Sequence, residues 1–251
     1  MRTTSTLRAD DRAVSDVVGY VLVFSLITLS IGAITVGGFS TLQDRQDAER
    51  INNAERAFDV LAGNMEDIYR DGAPSRATEM RLSGGTLRYG EPVKITIEDS
   101  NSRDITASPR PLIYRDTGTE IVYVAGAIIR SDDGNSVMLR DPPFRANTTV
   151  GSFPLIVTFR TTGSTTLSAE GTVQVTSEAR RINTTTPAKF DDETESYTIT
   201  IESPRSAAWE HYLESRPGFT GVTNSGGVVN ANIKQNRIVA PRFLVRLRFS
   251  G

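Results

Sequence analysis

The chain has 251 residues, 38% hydrophobic and 23% charged, with a formal net charge of −2; that is enough for one large domain or two small ones around a buried core, with no bulk attraction for nucleic acid. It has no cysteine and a single histidine, His211, which excludes disulfides, Cys-ligated zinc, thiol chemistry and multi-histidine metal sites. Basic charge is carried by arginine, Lys94, Lys189 and Lys234 being the only lysines.

Residues 1–13 form a short charged leader. From Val17 to Gln43 no charged side chain occurs for 27 residues. A spanning helix needs about 20 apolar residues at about 1.5 Å rise each, so residues 14–43 read as a hydrophobic, membrane-embedded helix. A cleaved secretory signal has a shorter apolar region, roughly 7 to 15 residues, ending in an A-x-A-like site that is missing here. Buried core helices also favour shorter runs, of about 10 to 14 residues. Arg2, Arg8 and Arg12 stand before the run with the α-amino group, so the N-terminus is expected inside and the remainder outside. Thr28 with Gly32, and Ala33 with Gly37, place small residues four apart, a spacing that favours close helix packing in lipid. Small residues are also simply common in spanning helices. Asp16, at the mouth of the run, suits a helix start, where the dipole favours a carboxylate by about 0.3–1 kcal/mol.

The stretch "DDRAVSDVVGYVLVFSL" resembles the N-terminus of archaeal type IV pilin-like proteins, particularly those of haloarchaea. In that family a charged leader ends in a basic residue plus Gly or Ala, and a prepilin peptidase cuts just after it. The resemblance implies a processing site at Arg12, Ala13 and Val14, cut between Ala13 and Val14. Val14, Ser15 and Asp16 become mature positions one to three, and Val17-Val18-Gly19 matches a Val-Ile-Gly-like triplet. The new amine on Val14 would then lie within reach of Asp16, and such a pairing makes charge tolerable in lipid. Asp16 and Gly19 are thereby assigned to helix start and assembly. The resemblance covers about 30 residues.

Residues 44–72 turn polar yet keep a helical period and continue into the head. Ile51, Ala54, Phe58, Leu61, Met65 and Ile68 recur at spacings of 3, 4, 3, 4 and 3, a single apolar stripe. A coiled coil needs at least about three heptads, so this face is expected to lie on the chain's own folded domain. Gly72 and Pro74 mark the end of the helix.

Residues 76–251 read as a β-rich extracellular head, because alternation replaces the helical period from Met80 onward. Strands are expected over Val93–Glu98, Thr119–Arg130, Phe153–Arg160, Gly171–Ala179, Glu195–Ser203 and Arg242–Ser250. Ser83-Gly84-Gly85 and Asp132-Asp133-Gly134-Asn135 read as hairpin turns. A short helix is expected near 205–215, with Trp209 and Tyr212 or Leu213 facing the core. The Pro-rich segment from Arg140 to Pro154 reads as a long loop within one domain. The fold class is therefore α+β: a long N-terminal α-helix followed by an antiparallel β-sandwich-like head.

Nothing in the head reads as catalysis. His211 has no nucleophile elbow nearby and sits on an amphipathic helix beside Trp209. Asp132, Asp133 and Asn135, and separately Asp191, Asp192 and Glu193, lack the spacing of a calcium loop and read as solvated acidic loops. No metal and no cofactor are expected. Asn147 and Asn183 head Asn-Thr-Thr sequons and are candidate N-glycosylation sites.

What the pilin resemblance implies is a non-enzymatic structural subunit of an extracellular filament, serving adhesion or surface attachment. Its partners would be copies of itself or other pilins through the N-terminal helix, the prepilin peptidase and assembly machinery, and the membrane before assembly. Apolar burial, at about 25 cal/mol per Å², would drive the packing of helices in the fibre. Two rivals remain open: an anchored surface protein that never polymerises, and an anchored hydrolase or sugar-binding enzyme.

Overall fold

The computed structural model describes residues 10–146, 150–159, 166–180, 188–190, 196–235 and 237–250. In chain order the elements are α1 (Asp10–Tyr69), β1 (Ser75–Tyr89), β2 (Lys94–Asp99), β3 (Asp104–Ala107), β4 (Leu112–Asp116), β5 (Thr119–Val124), β6 (Ala127–Asp132) and β7 (Asn135–Arg140). There follow β8 (Gly151–Ser152), β9 (Leu155–Phe159), β10 (Thr166–Arg180), β11 (Ala188–Phe190), β12 (Tyr197–Glu202), α2 (Ser206–Glu214), β13 (Phe219–Ser225), β14 (Val228–Ile233), β15 (Ile238–Ala240) and β16 (Arg242–Ser250). The helix and strand-rich head have the expected α+β class. Contacts divide the chain into two compact units, at Glu49 and Arg50.

α1 begins at Asp10, four residues before Val14, so Asp10, Asp11 and Arg12 already belong to the helix and Asp16 lies inside it, not at its start. Its end is set by Gly72 at φ +74°, where the chain turns and the Ala73 N–H reaches back to the Asp67 carbonyl at 3.0 Å. Pro74 follows and cannot continue a helix. Strand structure starts at once, at Ser75, five residues ahead of the expected change at Met80.

The strands form an eight-stranded sheet in the order β7-β6-β5-β4-β1-β10-β16-β9, a five-stranded sheet β13-β14-β12-β2-β3, and a three-stranded sheet β11-β15-β8. Pairing is antiparallel except for β16 with β9 and β15 with β8, which run parallel. Both parallel pairs join strands far apart in sequence, β9 with β16 and β8 with β15, as a parallel pairing requires a long connection.

From Arg50 onward α1 lies on one face of the eight-stranded sheet. Ile51, Ala54, Phe58, Leu61, Met65 and Ile68 are all buried, in one cluster with Met80, Leu87, Tyr114, Tyr123, Val175 and Leu247. The opposite face of the same sheet is covered by the five-stranded sheet and α2. Successive residues of the central strands therefore enter different cores. Ile121 and Tyr123 face the helix side, while Val122 and Val124 face the second sheet. A strand buried on both faces has to be apolar at every position, which is why this region shows no alternation.

The same feature hid a turn. The single strand expected over Thr119–Arg130 is two, β5 and β6, joined by a tight turn in which Ala125 and Gly126 have φ of +51° and +87°. Conversely, Ser83-Gly84-Gly85 is not a hairpin turn. β1 runs through it against β10, with a register shift between Ser83 and Thr86, the signature of a bulge. A Cβ at Gly85 would lie 2.5 Å from the Arg115 carbonyl oxygen, so the glycine lets β1 pass close to β4. The turn at Asp133-Gly134 joins β6 to β7, both residues having positive φ.

α2 buries Ala208, Trp209, Tyr212 and Leu213, so both Tyr212 and Leu213 face the core with the tryptophan. The Pro-rich segment belongs to the head, held by the Arg145–Ser152 bridge.

Candidate functional site

The apolar half of α1 is the most unusual surface of the molecule. Asp16–Thr35 is a 20-residue stretch of mean hydropathy 2.3 with no part of it buried, long and apolar enough to cross a bilayer. Val17, Tyr20, Leu22, Phe24, Leu26 and Leu29 are each more than half exposed. A soluble helix carrying so many bare apolar side chains would be strongly unfavourable in water, since each costs about 1.5–3 kcal/mol to leave unburied. Tyr20 and Phe24 stack one turn apart at 6.3 Å between ring centroids.

Two hydroxyls of this stretch are satisfied within the helix. The Thr28 hydroxyl donates to the Phe24 carbonyl at 2.8 Å, and the Ser30 hydroxyl to the Leu26 carbonyl at 2.7 Å. That removes the cost of placing two hydroxyls in hydrocarbon. Gly19 and Gly32 have open space where a Cβ would stand, and with Thr28 and Ala33 they leave the backbone accessible along the helix. Asp16 is the one carboxylate at the edge of the stretch and is exposed. Arg12, Ala13 and Val14 lie within the first turns of α1, and Gly37 lies further along it; the side chains of Arg12, Ala13 and Val14 fall outside the described residues. Asn147 and Asn183, and the acidic run Asp191–Glu193, also lie outside them.

The second half of α1 is tied to the head on both flanks of its buried stripe. On one flank Glu55 meets Arg130 at 3.0 Å, and Arg140 meets Asp59 at 2.7 Å and Glu66 at 2.9 Å. On the other, Asn64 donates to the buried Thr78 hydroxyl at 2.8 Å and Arg76 to Asp67 at 2.8 Å. Sequence reading found the apolar stripe but not these anchors, because Arg130 and Arg140 sit on strands far away in sequence. Their only signal was the absence of a helical i,i+4 partner for Glu55 and Asp59.

The expected acidic loop at Asp132 is already committed. Arg130, then Thr119, hold its carboxyl below the usual range, at 2.7 and 2.6 Å. Asp99 is likewise spent inside its own turn, accepting from the Asn101 and Arg103 backbone and from the Arg103 guanidinium. Among the described residues no cluster of three or more His, Asp or Glu is placed to hold a metal. His211 is exposed on α2. Burial pushes the Tyr114 phenol up to about 12, and its hydroxyl donates to the Gly84 carbonyl at 3.1 Å, which makes it a structural tyrosine in the bulge.

Fold and site together define an α+β protein with one N-terminal helix, apolar and unburied in its first half and packed on a β-rich head in its second. Residues 12–248 match the family of unknown function DUF7289, and the chain belongs to that family. No curated protein and no solved structure matches it.

Proposed function

We propose that this chain is a subunit of an extracellular type IV pilus-like filament, inserted in the membrane, cut after Ala13 by a prepilin peptidase, and assembled through the apolar half of α1. The observation that carries this reading is the bare Asp16–Thr35 surface on a helix whose remainder is fixed to the head. Such a surface needs lipid before assembly and other apolar helices after it. The open glycine positions at Gly19 and Gly32 support close helix approach. The family match takes in the apolar helix together with the head, which favours a helix retained in the working protein. The role is structural and adhesive, with the head outside and the N-terminus inside.

Two measurements on native material test it. Mass analysis of the mature N-terminus is expected to find Val14 first, with Asp16 third. A protein beginning at Met1, or beyond the apolar run, would end the processing claim. Shearing followed by electron microscopy is expected to release fibres containing the chain. Processed protein that only detergent extracts, as monomers, would replace the filament with a non-polymerising surface anchor.

A further inference from the structure

The segment from Arg140 to Ala146 crosses the head as a strap between two clefts, of about 680 and 480 Å³. Asp141, Pro142, Phe144 and Arg145 line both. One wall of the larger cleft carries Tyr69 and Phe243, half-buried rings in tilted contact at 5.8 Å. Burial, then Glu66, hold the Tyr69 phenol above its ordinary value, while Arg140, Arg70 and Arg145 pull it the other way. Glu66, Arg70, Arg140 and Arg145 line the same cleft as this phenol.

Most of these charges are already engaged. Arg70 binds Glu66 at 2.8 Å, Arg140 binds Asp59 and Glu66, and Arg216 binds Asp141 while lying over the Tyr212 ring. Arg145 differs: it is exposed, and its guanidinium has no hydrogen bond or ion pair among the described residues. A free, forked cation where two clefts meet is suited to a carboxylate, which it can bind through two parallel hydrogen bonds.

The backbone of the strap is not open to an incoming peptide. The Phe144 N–H goes to the Pro142 carbonyl at 2.8 Å, and Arg145 and Ser152 exchange both of their bonds at 2.8 and 2.9 Å. Strand addition therefore has no edge to use here. Recognition falls to side chains: a half-exposed aromatic pair, a phenol, paired carboxylates and one free guanidinium. Rings that present a flat apolar face and polar edges match that set.

We propose that this double cleft binds an acidic oligosaccharide, a sugar carboxylate held by Arg145 and a pyranose face laid on Tyr69 and Phe243. The inference stands apart from the filament reading, because cleft and arginines all belong to the unit from Arg50 onward.

Trp209, the only tryptophan, stacks on Phe144 at 6.4 Å and so reports on the strap. Full-length chain in detergent micelles, titrated with trigalacturonate and with trimannuronate, is expected to give a saturable change in emission with at least one of them, with calorimetry as the arbiter if emission stays flat. The methyl esters of the same sugars are expected to bind at least about tenfold more weakly, the worth of one charge-assisted contact. Arg145→Gln should weaken binding by a similar factor while leaving the thermal melt unchanged, and Arg145→Lys should keep part of it. Failure of both acids to bind, equal binding of acids and esters, or an unaffected Arg145→Gln would each overturn the proposal. Pentaglutamate binding as tightly as the sugars would overturn it in favour of an acidic peptide site.

Discussion

Arg140 and Glu66 join the end of β7 to α1 through a 2.9 Å ion pair, and the same guanidinium reaches Asp59 at 2.7 Å. The two carboxylates are seven residues apart, two turns along one helix flank, so one arginine fixes the rotation of the helix about its axis. The geometry is good but wet, the Asp59 and Glu66 side chains being 67% and 32% exposed. Such pairs are worth about 1 kcal/mol or less. Arg140→Met is expected to lower the unfolding free energy read from urea titration of the full chain by no more than that amount, and the loss should shrink as salt is raised. A loss of several kcal/mol, independent of salt, would mean that the pair bears far more of the docking than its exposure allows.

The apolar stripe is expected to dominate instead. Phe58 is fully buried between α1 and the eight-stranded sheet, whereas Val60, two residues on, is 56% exposed. Phe58→Ala removes a large side chain from a packed interior and should cost about 3–5 kcal/mol. Val60→Ala should fall within about 0.5 kcal/mol of the parent. Equilibrium denaturation followed by circular dichroism separates the two, and comparable losses would argue against the helix packing described above.

The helix and its stripe were legible in sequence because both are periodic and local: six apolar residues on one face, then Gly72 and Pro74. The sites of α2 and β16 were legible for the same reason. What escaped was non-local. Tyr123 and Val124 face different cores, so their strand carries no alternation, and Ala125-Gly126 lacks the Asn or Asp that usually announces such a turn. Gly84-Gly85 looked like a turn because two glycines permit one; only the pairing of β1 with the distant β10 makes the pair a bulge, and the approach of β4 demands the glycine at 85. The cleft beside the strap is assembled from α1, the strap and the start of β16, and no local pattern could bring those together.

Glu120 gives the head a pH dependence with a definite sign. Burial alone would raise its pKa, but Arg205 and Arg88 outweigh that and leave the carboxyl below its ordinary 4.5. Arg88 lies 3.0 Å from one oxygen and Arg205 bonds the other. A depressed folded-state pKa means that the ionised group stabilises above the unfolded value, near 4.5, and that this contribution is lost as pH falls below it through the folded value. Glu120→Gln should therefore melt below the parent at neutral pH, and the gap should close below about pH 4. A gap of constant size down to acid would assign the effect to packing and not to charge.

Two glycines with similar backbone angles should respond differently to alanine. Gly134, at φ +89°, has open space at the Cβ position, so Gly134→Ala should cost only the left-handed penalty of about 1–2 kcal/mol. Gly85, at φ +76°, would bring its Cβ to 2.5 Å from the Arg115 carbonyl oxygen and 2.9 Å from the Tyr114 ring. Gly85→Ala should cost about 1–3 kcal/mol more than Gly134→Ala, the usual toll of overpacking. Equal losses in urea titrations would show that β1 and β4 can separate freely at the bulge.

Leu26 stands near the middle of Asp16–Thr35, where a bilayer would be driest. An arginine there costs about 2.5–3.5 kcal/mol on insertion scales, so Leu26→Arg should shift a large part of the full chain out of carbonate-washed membranes. Thr28→Val is the matched control: the Thr28 hydroxyl already gives its hydrogen to the Phe24 carbonyl at 2.8 Å, so losing it removes no bond to a neighbour and should leave the membrane fraction unchanged. Two alternatives would have to be told apart by the same fractionation. If both variants stay in the membrane as the parent does, α1 is not what holds the chain there. If both leave, the helix depends on the Thr28 hydroxyl itself, and the small-residue face around Gly32 is engaged by a polar partner and not by lipid.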